Sequence, residues 1–203
     1  MAVMARVLVD IDTQVDFVDP AGRLYVPGAE RLIPRFAELL AYARRARVPV
    51  LSTMDAHAPD DPEFASWPPH CVVGTPGQRK VPETLLPRTV ELGLNDPPPA
   101  DWDRLTAEHD QILFPKVTLS AFENPHFAAA VEHFAGHEFV VFGVATDYCV
   151  NLAAAGLLER GHRVIVVRDA IAAVSPETGE AACQALTRRG AAWATVAEIV
   201  SGA

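Results

Sequence analysis

The sequence predicts an α/β protein whose six-stranded parallel sheet is covered by helices on both faces, a three-layer α/β/α sandwich. Two observations predict this fold: short β-branched runs alternate with helical patterns, and most of those runs are apolar without interruption. Continuously apolar strands are typical of parallel sheets, in which both faces are buried. The predicted strands are residues 6–11, 48–53, 111–114, 138–143, 163–167 and 192–196.

Four segments between these strands have the spacing of amphipathic helices: residues 29–47, 125–134, 149–160 and 177–190. In the first segment Leu32, Phe36 and Leu39 fall on one stripe, as a helix that packs on a sheet requires. Gly161 and Gly190 follow the third and fourth segments, and helices commonly end on glycine. The interval 54–110 breaks the alternation and is rich in Pro, Asp and His, which predicts a long functional loop region.

Composition narrows the classes of function. The chain has 203 residues, 50% of them hydrophobic and 21% charged, which suits one folded domain over residues 1–203. A net charge of −9 offers no basic surface, so we expect neither nucleic acid nor a membrane as a partner. Three cysteines cannot all pair within one chain, and the N-terminal apolar run is too short for a signal peptide. We therefore expect a reducing, cytoplasmic location.

Three reactive side chains follow predicted strands. Asp12 comes directly after the first strand, Lys116 after the third, and Cys149 at the start of the helix that follows the fourth. Each has a plain structural explanation on its own: a solvated acid, an exposed lysine and a buried cysteine. The carboxyl ends of parallel strands meet at one edge of a sheet, where the three would share a crevice. A cation lowers the pKa of a neighbouring thiol and an acid can carry its proton, so the group suits nucleophilic catalysis.

A second cluster follows the second strand. Asp55 and His57 lie at its end, and His70 follows in the irregular interval. Carboxylate oxygens and imidazole nitrogens are ligands for Zn, Mn and Fe(II), so the pattern indicates a metal site. Histidines in solvated loops are common, and an Asp-x-His pair alone carries little information. Both interpretations are therefore open at this point.

Taken together, these segments resemble the isochorismatase-like cysteine hydrolases, and the metal segment resembles the nicotinamidase branch of that superfamily. The matching segments occur in the family's chain order and span most of the chain: 12–17 (DTQVDF), 55–57 (DAH), 67–77 (WPPHCVVGTPG), 116–122 (KVTLSAF) and 143–150 (GVATDYCV). Four ordered motifs, the two metal segments counted as one, make a chance match improbable. The resemblance implies the isochorismatase-like fold and hydrolysis of nicotinamide to nicotinate and ammonia.

The resemblance also implies roles for individual residues. Asp12 would be the general base and acid, and Cys149 the nucleophile that forms a thioester. Lys116 would orient these two side chains and supply a positive charge beside them. A cis peptide would precede Ala145, and the backbone N–H groups of Ala145 and Cys149 would form the oxyanion hole. Phe17 and Trp67 would line the pocket for the substrate ring.

For the metal, the resemblance implies one divalent ion per chain, zinc before manganese or iron, with Asp55, His57 and His70 as ligands. Glu63 stands where some nicotinamidases have a third histidine. It is therefore either a fourth ligand or a solvated loop acid. The ion would hold the ring nitrogen of a pyridine amide.

Two departures from the nicotinamidase pattern leave the substrate open. The turn 116–122 is short, and residues 88–104 form an insertion that would border the pocket or an oligomer contact. Another small amide or a carbamoyl compound is the alternative substrate. A vinyl-ether hydrolase would not need the nucleophile, and a non-catalytic partner domain would not need the triad. The family also implies a homo-oligomer, a dimer or a tetramer.

Overall fold

The computed structural model describes residues 4–202, so Met1, Ala2, Val3 and Ala203, which belong to the predicted domain 1–203, lie outside the described residues. A parallel seven-stranded sheet forms its centre. Its strands are β1 (Arg6–Ile11), β2 (Val50–Asp55), β3 (Thr89–Glu91), β4 (Gln111–Lys116), β5 (Glu138–Val144), β6 (Arg163–Ala172) and β7 (Ala192–Ala194). Their order across the sheet is β3-β4-β2-β1-β5-β6-β7.

The helices are α1 (Val15–Val18), α2 (Ile33–Ala46), α3 (Trp102–Glu108), α4 (Pro125–His133), α5 (Asn151–Glu159), α6 (Pro176–Arg188) and α7 (Val196–Ser201). Helices α2 and α7 pack on one face of the sheet, and α4, α5 and α6 pack on the other. Among residues 4–202, no helix combines the length and the apolar character that crossing a bilayer requires. The three-layer arrangement predicted from the sequence is confirmed.

Strand β1 explains why apolar runs without alternation predicted this fold. Val7, Val9 and Ile11 belong to the core under α4 and α5, whereas Leu8 belongs to the core under α2. Both faces of the strand are thus buried, as in other parallel sheets whose faces are covered by helices.

The sheet has seven strands, so the prediction of six was wrong by one. The added strand, β3, is a three-residue edge strand, Thr89–Glu91, within the irregular interval 54–110. Its sequence, TVE, is too short for a period, and its residues are half-buried or exposed. Short, partly polar strands are typical of sheet edges, where they limit pairing with other chains. Helix α3 lies in the same interval and has no predicted counterpart.

The predicted glycine ends of two helices are confirmed. Gly161 and Gly190 adopt positive φ angles of 80° and 99° after α5 and α6. The predicted strand 48–53 instead runs over Val50–Asp55, because the turn out of α2 extends to Val48, whose N–H bonds to the Ala43 carbonyl.

The sheet brings four strand ends together at its carboxyl edge. From β1 the chain continues to β2 on one side, and β5 pairs with β1 on the other. The order in which successive strands are added to the sheet therefore reverses at β1. Such a reversal opens a crevice at the carboxyl ends of the strands, where ligands bind in open α/β sheets. Gly143 allows β5 to approach β1 there: its φ is 120°, and a Cβ would collide with the Ile11 carbonyl oxygen.

Candidate active site

Asp12 lies where β1 ends, and its backbone enters the left-handed region with a φ of 46°. The Thr53 hydroxyl on β2 donates a hydrogen bond to Asp12 Oδ1 at 2.7 Å. The Asp12 N–H donates in return to Thr53 Oγ1 at 3.3 Å. Since Asp12 is 1% exposed, these reciprocal bonds hold a carboxylate that bulk water does not reach.

Lys116, at the end of β4, connects the acids of the site to the thiol. Its Nζ lies 2.9 Å from Asp12 Oδ2 and forms an ion pair with Asp55 Oδ1. The same ammonium lies 3.7 Å from Cys149 Sγ and donates to the Thr118 carbonyl at 3.0 Å. A single buried cation therefore contacts two carboxylates and the sulfur at once.

Cys149 lies in the turn that joins β5 to α5. This turn is π-helical over Thr146–Val150, so the predicted helix 149–160 is regular only from Asn151. Single π turns in proteins often occur at functional sites, where they redirect a side chain. The peptide bond before Ala145 is cis, as the resemblance implies. The turn places the Cys149 sulfur against Lys116.

The electrostatics of the three groups are coupled. Burial raises the pKa of the Cys149 thiol well above its usual range, with the Lys116 cation opposing and the Asp12 charge adding to the shift. Burial also raises the pKa of Asp12, although Lys116 acts against it. Burial alone would lower the pKa of Lys116, but Asp12 and Asp55 raise it well above its usual range. The lysine is thus charged and the thiol protonated at neutral pH, so the sulfur needs a proton acceptor to become a nucleophile.

Asp55 joins this group to a second one. Its Oδ1 faces Lys116, whereas its Oδ2 lies 3.8 Å from His57 Nε2 and 3.7 Å from His70 Nε2. Burial would raise the pKa of Asp55, but Lys116 and the two imidazoles hold it well below its usual range. The Gln14 side chain fixes the backbone of Asp55, accepting from its N–H at 2.7 Å and donating to its carbonyl at 2.9 Å.

The two imidazoles present their Nε2 atoms to the same space. The Nδ1–H of His57 donates to Asp61 Oδ2 at 3.0 Å, and the Nδ1–H of His70 donates to the Pro68 carbonyl at 2.8 Å. In the neutral form of each ring, Nε2 is therefore left with a lone pair. Burial lowers the pKa of His57, but hydrogen bonds with Asp55 and Asp61 outweigh it and raise the pKa to about 8.

The donor set of Asp55, His57 and His70 suits a first-row divalent ion. The three ligand atoms lie within 4.8 Å of one another, and His57 Nε2 is buried without a hydrogen-bond partner. Two ligands on one tetrahedral zinc lie ~3.4 Å apart, close to the separations of 3.7 and 3.8 Å from Asp55 Oδ2. Nδ1 atoms anchored by a carboxylate and a carbonyl are the usual outer contacts of metal-binding histidines. These three residues could hold a metal ion.

A pocket opens beside Cys149 and this cluster. Its walls are mostly apolar, and no lysine or arginine is among the lining residues, which are Phe17, Leu24, Val26, Asp55, Glu63, Trp67, His70, Leu119, Val144, Ala145, Tyr148, Cys149 and Val174. Phe17 packs against the His70 ring, with centroids 5.4 Å apart. Trp67 meets Tyr148 edge-on at 5.4 Å. Glu63 lies on the wall, outside the compact cluster of three ligands.

The family model for the isochorismatase domain matches residues 6–198, which includes every residue of this site. The chain belongs to the isochorismatase family. Its nicotinamidase/pyrazinamidase relative from Mycobacterium tuberculosis is 28% identical over 88% of this chain and 92% of the relative. Together with the structural neighbours below, these similarities make it an amidohydrolase acting on carbon–nitrogen bonds, similar to the nicotinamidase-like branch.

Two solved structures of isochorismatase-family relatives extend the comparison. The zinc complex of pyrazinamidase from Pyrococcus horikoshii aligns with a TM-score of 0.78 at 27% identity, over 94% of this chain and 98% of that one. N-carbamoylsarcosine amidase from Thermoplasma acidophilum aligns with a TM-score of 0.73, also at 27% identity, over 95% of this chain and 97% of that one. The same isochorismatase fold thus carries amidases that differ in the acyl group they act on.

Sequence reasoning missed part of this isochorismatase-family pocket. Tyr148 stands next to Cys149 in its motif, a signal that could have been used. Leu119 reaches the pocket from the turn 116–122 after β4, which belongs to a quoted motif. Val174 reaches it from the turn after β6, and nothing in its local pattern indicates this. No residue of the insertion 88–104 lines the pocket, so of the two alternatives for this insertion only the oligomer contact stays a prediction. The insertion forms β3 at the edge of the sheet and the first residues of α3.

Proposed function

We propose that this amidohydrolase cleaves the amide of a small, flat ring that carries a nitrogen lone pair, and that nicotinamide, hydrolysed to nicotinate and ammonia, is its substrate. The pocket beside Cys149 carries the proposal: it combines aromatic walls with Asp55 and His70 of the three-residue cluster, and it has no lysine or arginine in its lining. A neutral heteroaromatic amide matches all three properties. The product suggests a role in pyridine nucleotide salvage in the cytoplasm.

In the proposed reaction Asp12 takes the proton of the Cys149 thiol as the sulfur attacks the amide carbon. The carbonyl π bond opens to an oxyanion, which the N–H groups of Ala145 and Cys149 stabilise. When the tetrahedral intermediate collapses, the carbon–nitrogen bond breaks and Asp12 gives its proton to the departing ammonia. Asp12 then deprotonates a water molecule that attacks the thioester, and the sulfur leaves as the thiol on return of that proton.

Lys116 serves both halves of this cycle by position and charge. It contacts Asp12 at 2.9 Å and the Cys149 sulfur at 3.7 Å, so its charge favours the thiolate in the first step. It is too firmly protonated to act as a base, because two carboxylates hold its pKa far above neutrality. Its role is therefore electrostatic and orienting.

Asp55, His57 and His70 would hold one divalent metal ion, zinc before manganese or iron, and Glu63 would be a fourth ligand. When bound, such an ion supplies a Lewis-acid contact that positions the ring nitrogen of the substrate. Phe17 and Trp67 would confine the ring between them. The second carboxylate oxygen of Asp55 keeps its ion pair with Lys116, which links ring binding to the reacting groups.

A carbamoyl hydrolase remains the second candidate, because the same reacting groups would serve it and an N-carbamoylsarcosine amidase shares the fold. N-Carbamoylsarcosine carries a carboxylate. Binding that charge in an apolar pocket calls for an arginine or lysine partner, and the lining has none. The charge of the lining therefore favours the neutral aromatic amide.

Ammonia release from a panel of amides tests the proposal. Nicotinamide is expected to exceed benzamide in kcat/KM by about two orders of magnitude, because a site built around a polar contact strongly rejects an analogue that lacks it. Benzamide has nearly the same shape and no ring nitrogen, so it is the matched control. Equal turnover of the two, or turnover of N-carbamoylsarcosine alone, would show that the substrate is wrong.

A further inference from the structure

A second buried ion pair lies next to the reacting groups, and the reaction described above does not use it. Asp10 and Lys80 are 0% and 3% exposed, and Lys80 Nζ lies 2.9 Å from Asp10 Oδ2. Asp10 is on β1, two residues before Asp12. Lys80 comes from the irregular interval, outside the regular helices and strands. Burying two charges is costly unless they are well paired, so their presence calls for an explanation.

The surroundings of Asp10 hold its carboxyl group in one orientation. The hydroxyls of Thr13 and Ser52 donate to its two oxygens at 2.8 and 2.9 Å. Gln111 Nε2 in turn donates to Ser52 Oγ at 2.7 Å. The carboxylate is therefore fully occupied and has one orientation, which also fixes the ammonium of Lys80.

Lys80 uses this fixed position to hold Thr53. Its Nζ donates to the Thr53 carbonyl at 3.1 Å, and the Thr53 hydroxyl donates to Asp12 Oδ1 at 2.7 Å. The backbone on either side of Lys80 is tied to the chain beyond Asp12: the Val15 N–H bonds to the Arg79 carbonyl at 2.8 Å, and the Val81 N–H to the Thr13 carbonyl at 2.9 Å. The lysine thus joins β1, β2 and the turn that carries Asp12.

We propose that Lys80, anchored by Asp10, is a positioning residue that fixes Thr53 and, through its hydroxyl, aims the Asp12 carboxylate at the Cys149 thiol. This inference rests on the proposed function for the role of Asp12. Lys80 itself does not touch the substrate pocket, since no atom of it lines that pocket. Its removal therefore affects the reacting carboxylate and leaves ring binding and metal binding in place.

The test removes both charges together, because Lys80→Met alone would leave Asp10 buried and unpaired. The double variant Asp10→Asn/Lys80→Met is expected to lower kcat for nicotinamide about 10-fold, in the range that outer contacts of a site contribute, with KM changed less than about twofold. Metal content should be unchanged. The matched control is Arg6→Met/Glu138→Gln, which removes the 3.1 Å ion pair at the other end of β1 and should leave kcat unchanged.

Substitutions of Thr53 test whether Lys80 acts on Asp12 through the Thr53 hydroxyl. Thr53→Val is expected to lower kcat about 10-fold, Thr53→Ser to retain it, and Thr53→Val in the double variant to add little, because both changes break one chain of contacts. Multiplicative losses would overturn the proposal, as would wild-type kcat in the double variant. If the double variant does not fold, the Thr53 variants still test the proposal. An unchanged kcat in Thr53→Val would overturn it, and a lower kcat in Thr53→Val with a retained kcat in Thr53→Ser would support it.

The rate of alkylation of Cys149 by iodoacetamide separates this inference from the proposed substrate. Alkylation needs the thiol to lose its proton but needs no amide turnover, so it should slow in Thr53→Val and in the double variant. Labelled peptides identified by mass spectrometry assign the signal to Cys149. If the wild type hydrolyses no amide, the proposed function fails while this comparison still tests the positioning role. Equal alkylation rates in all variants would contradict that role.

Discussion

Replacing Cys149 by alanine is expected to lower kcat for nicotinamide by about four orders of magnitude or more, since removal of a covalent nucleophile typically costs that much. The fold should remain, because alanine retains the Cβ of a side chain that contributes mainly a sulfur to the pocket. Ammonia release and thermal unfolding measure the two effects. The physical reason is that no other described thiol lies beside Lys116.

Cys183→Ser is the matched control for this substitution. Cys183 is on α6, is half-buried and does not line the pocket, so its loss should change kcat less than about twofold. A fall of several orders in the control, or more than a tenth of wild-type activity in Cys149→Ala, would show that the wrong thiol has been assigned.

Replacing His57 by alanine is expected to remove the bound metal and to lower kcat/KM for nicotinamide at least ~100-fold, more than changes to outer contacts of metal sites usually cost. The rise in KM should be at least as large as the fall in kcat if, as proposed, the ion holds the ring and does not activate water. Elemental analysis of protein purified without chelator gives the metal content. A defect in kcat alone would indicate a metal-bound water as the attacking group instead.

Glu63→Gln gives the finer comparison at the same site. If Glu63 is a fourth ligand, metal content after dialysis should fall, but less than in His57→Ala. Glu123→Gln is its matched control, because Glu123 lines the neighbouring surface groove with Glu63 and does not line the pocket. Equal metal content in wild type, Glu63→Gln and Glu123→Gln would make Glu63 a loop acid.

Much of the fold could be predicted because apolar runs record burial on both faces of a parallel sheet. Because Asp12, Asp55 and Lys116 follow or end predicted strands, the sequence also indicated that they share one edge of the sheet. In the structure they lie at the ends of adjacent strands, and the register sets Asp55 opposite Lys116. The edge strand β3 escaped prediction because three residues carry no period and its side chains are only partly buried.

The contacts that support the site could not be predicted in the same way. Lys80 lies in an irregular interval, and its partners Asp10 and Thr53 are 70 and 27 residues away in the chain. Pairing over such distances depends on how the interval folds back on the sheet, and local propensity says nothing about it. The same holds for Val174, which enters the pocket wall from a turn beyond β6.

Trapping with hydroxylamine tests most directly the claim that this chain hydrolyses an aromatic amide through a thioester on Cys149. Hydroxylamine competes with water for a thioester, so wild-type protein turning over nicotinamide should form the hydroxamate of nicotinic acid alongside nicotinate. Cys149→Ala should form neither. Ammonia and nicotinate released by the wild type with no hydroxamate, at hydroxylamine concentrations that do not inhibit turnover, would contradict the covalent route and the role given to Cys149.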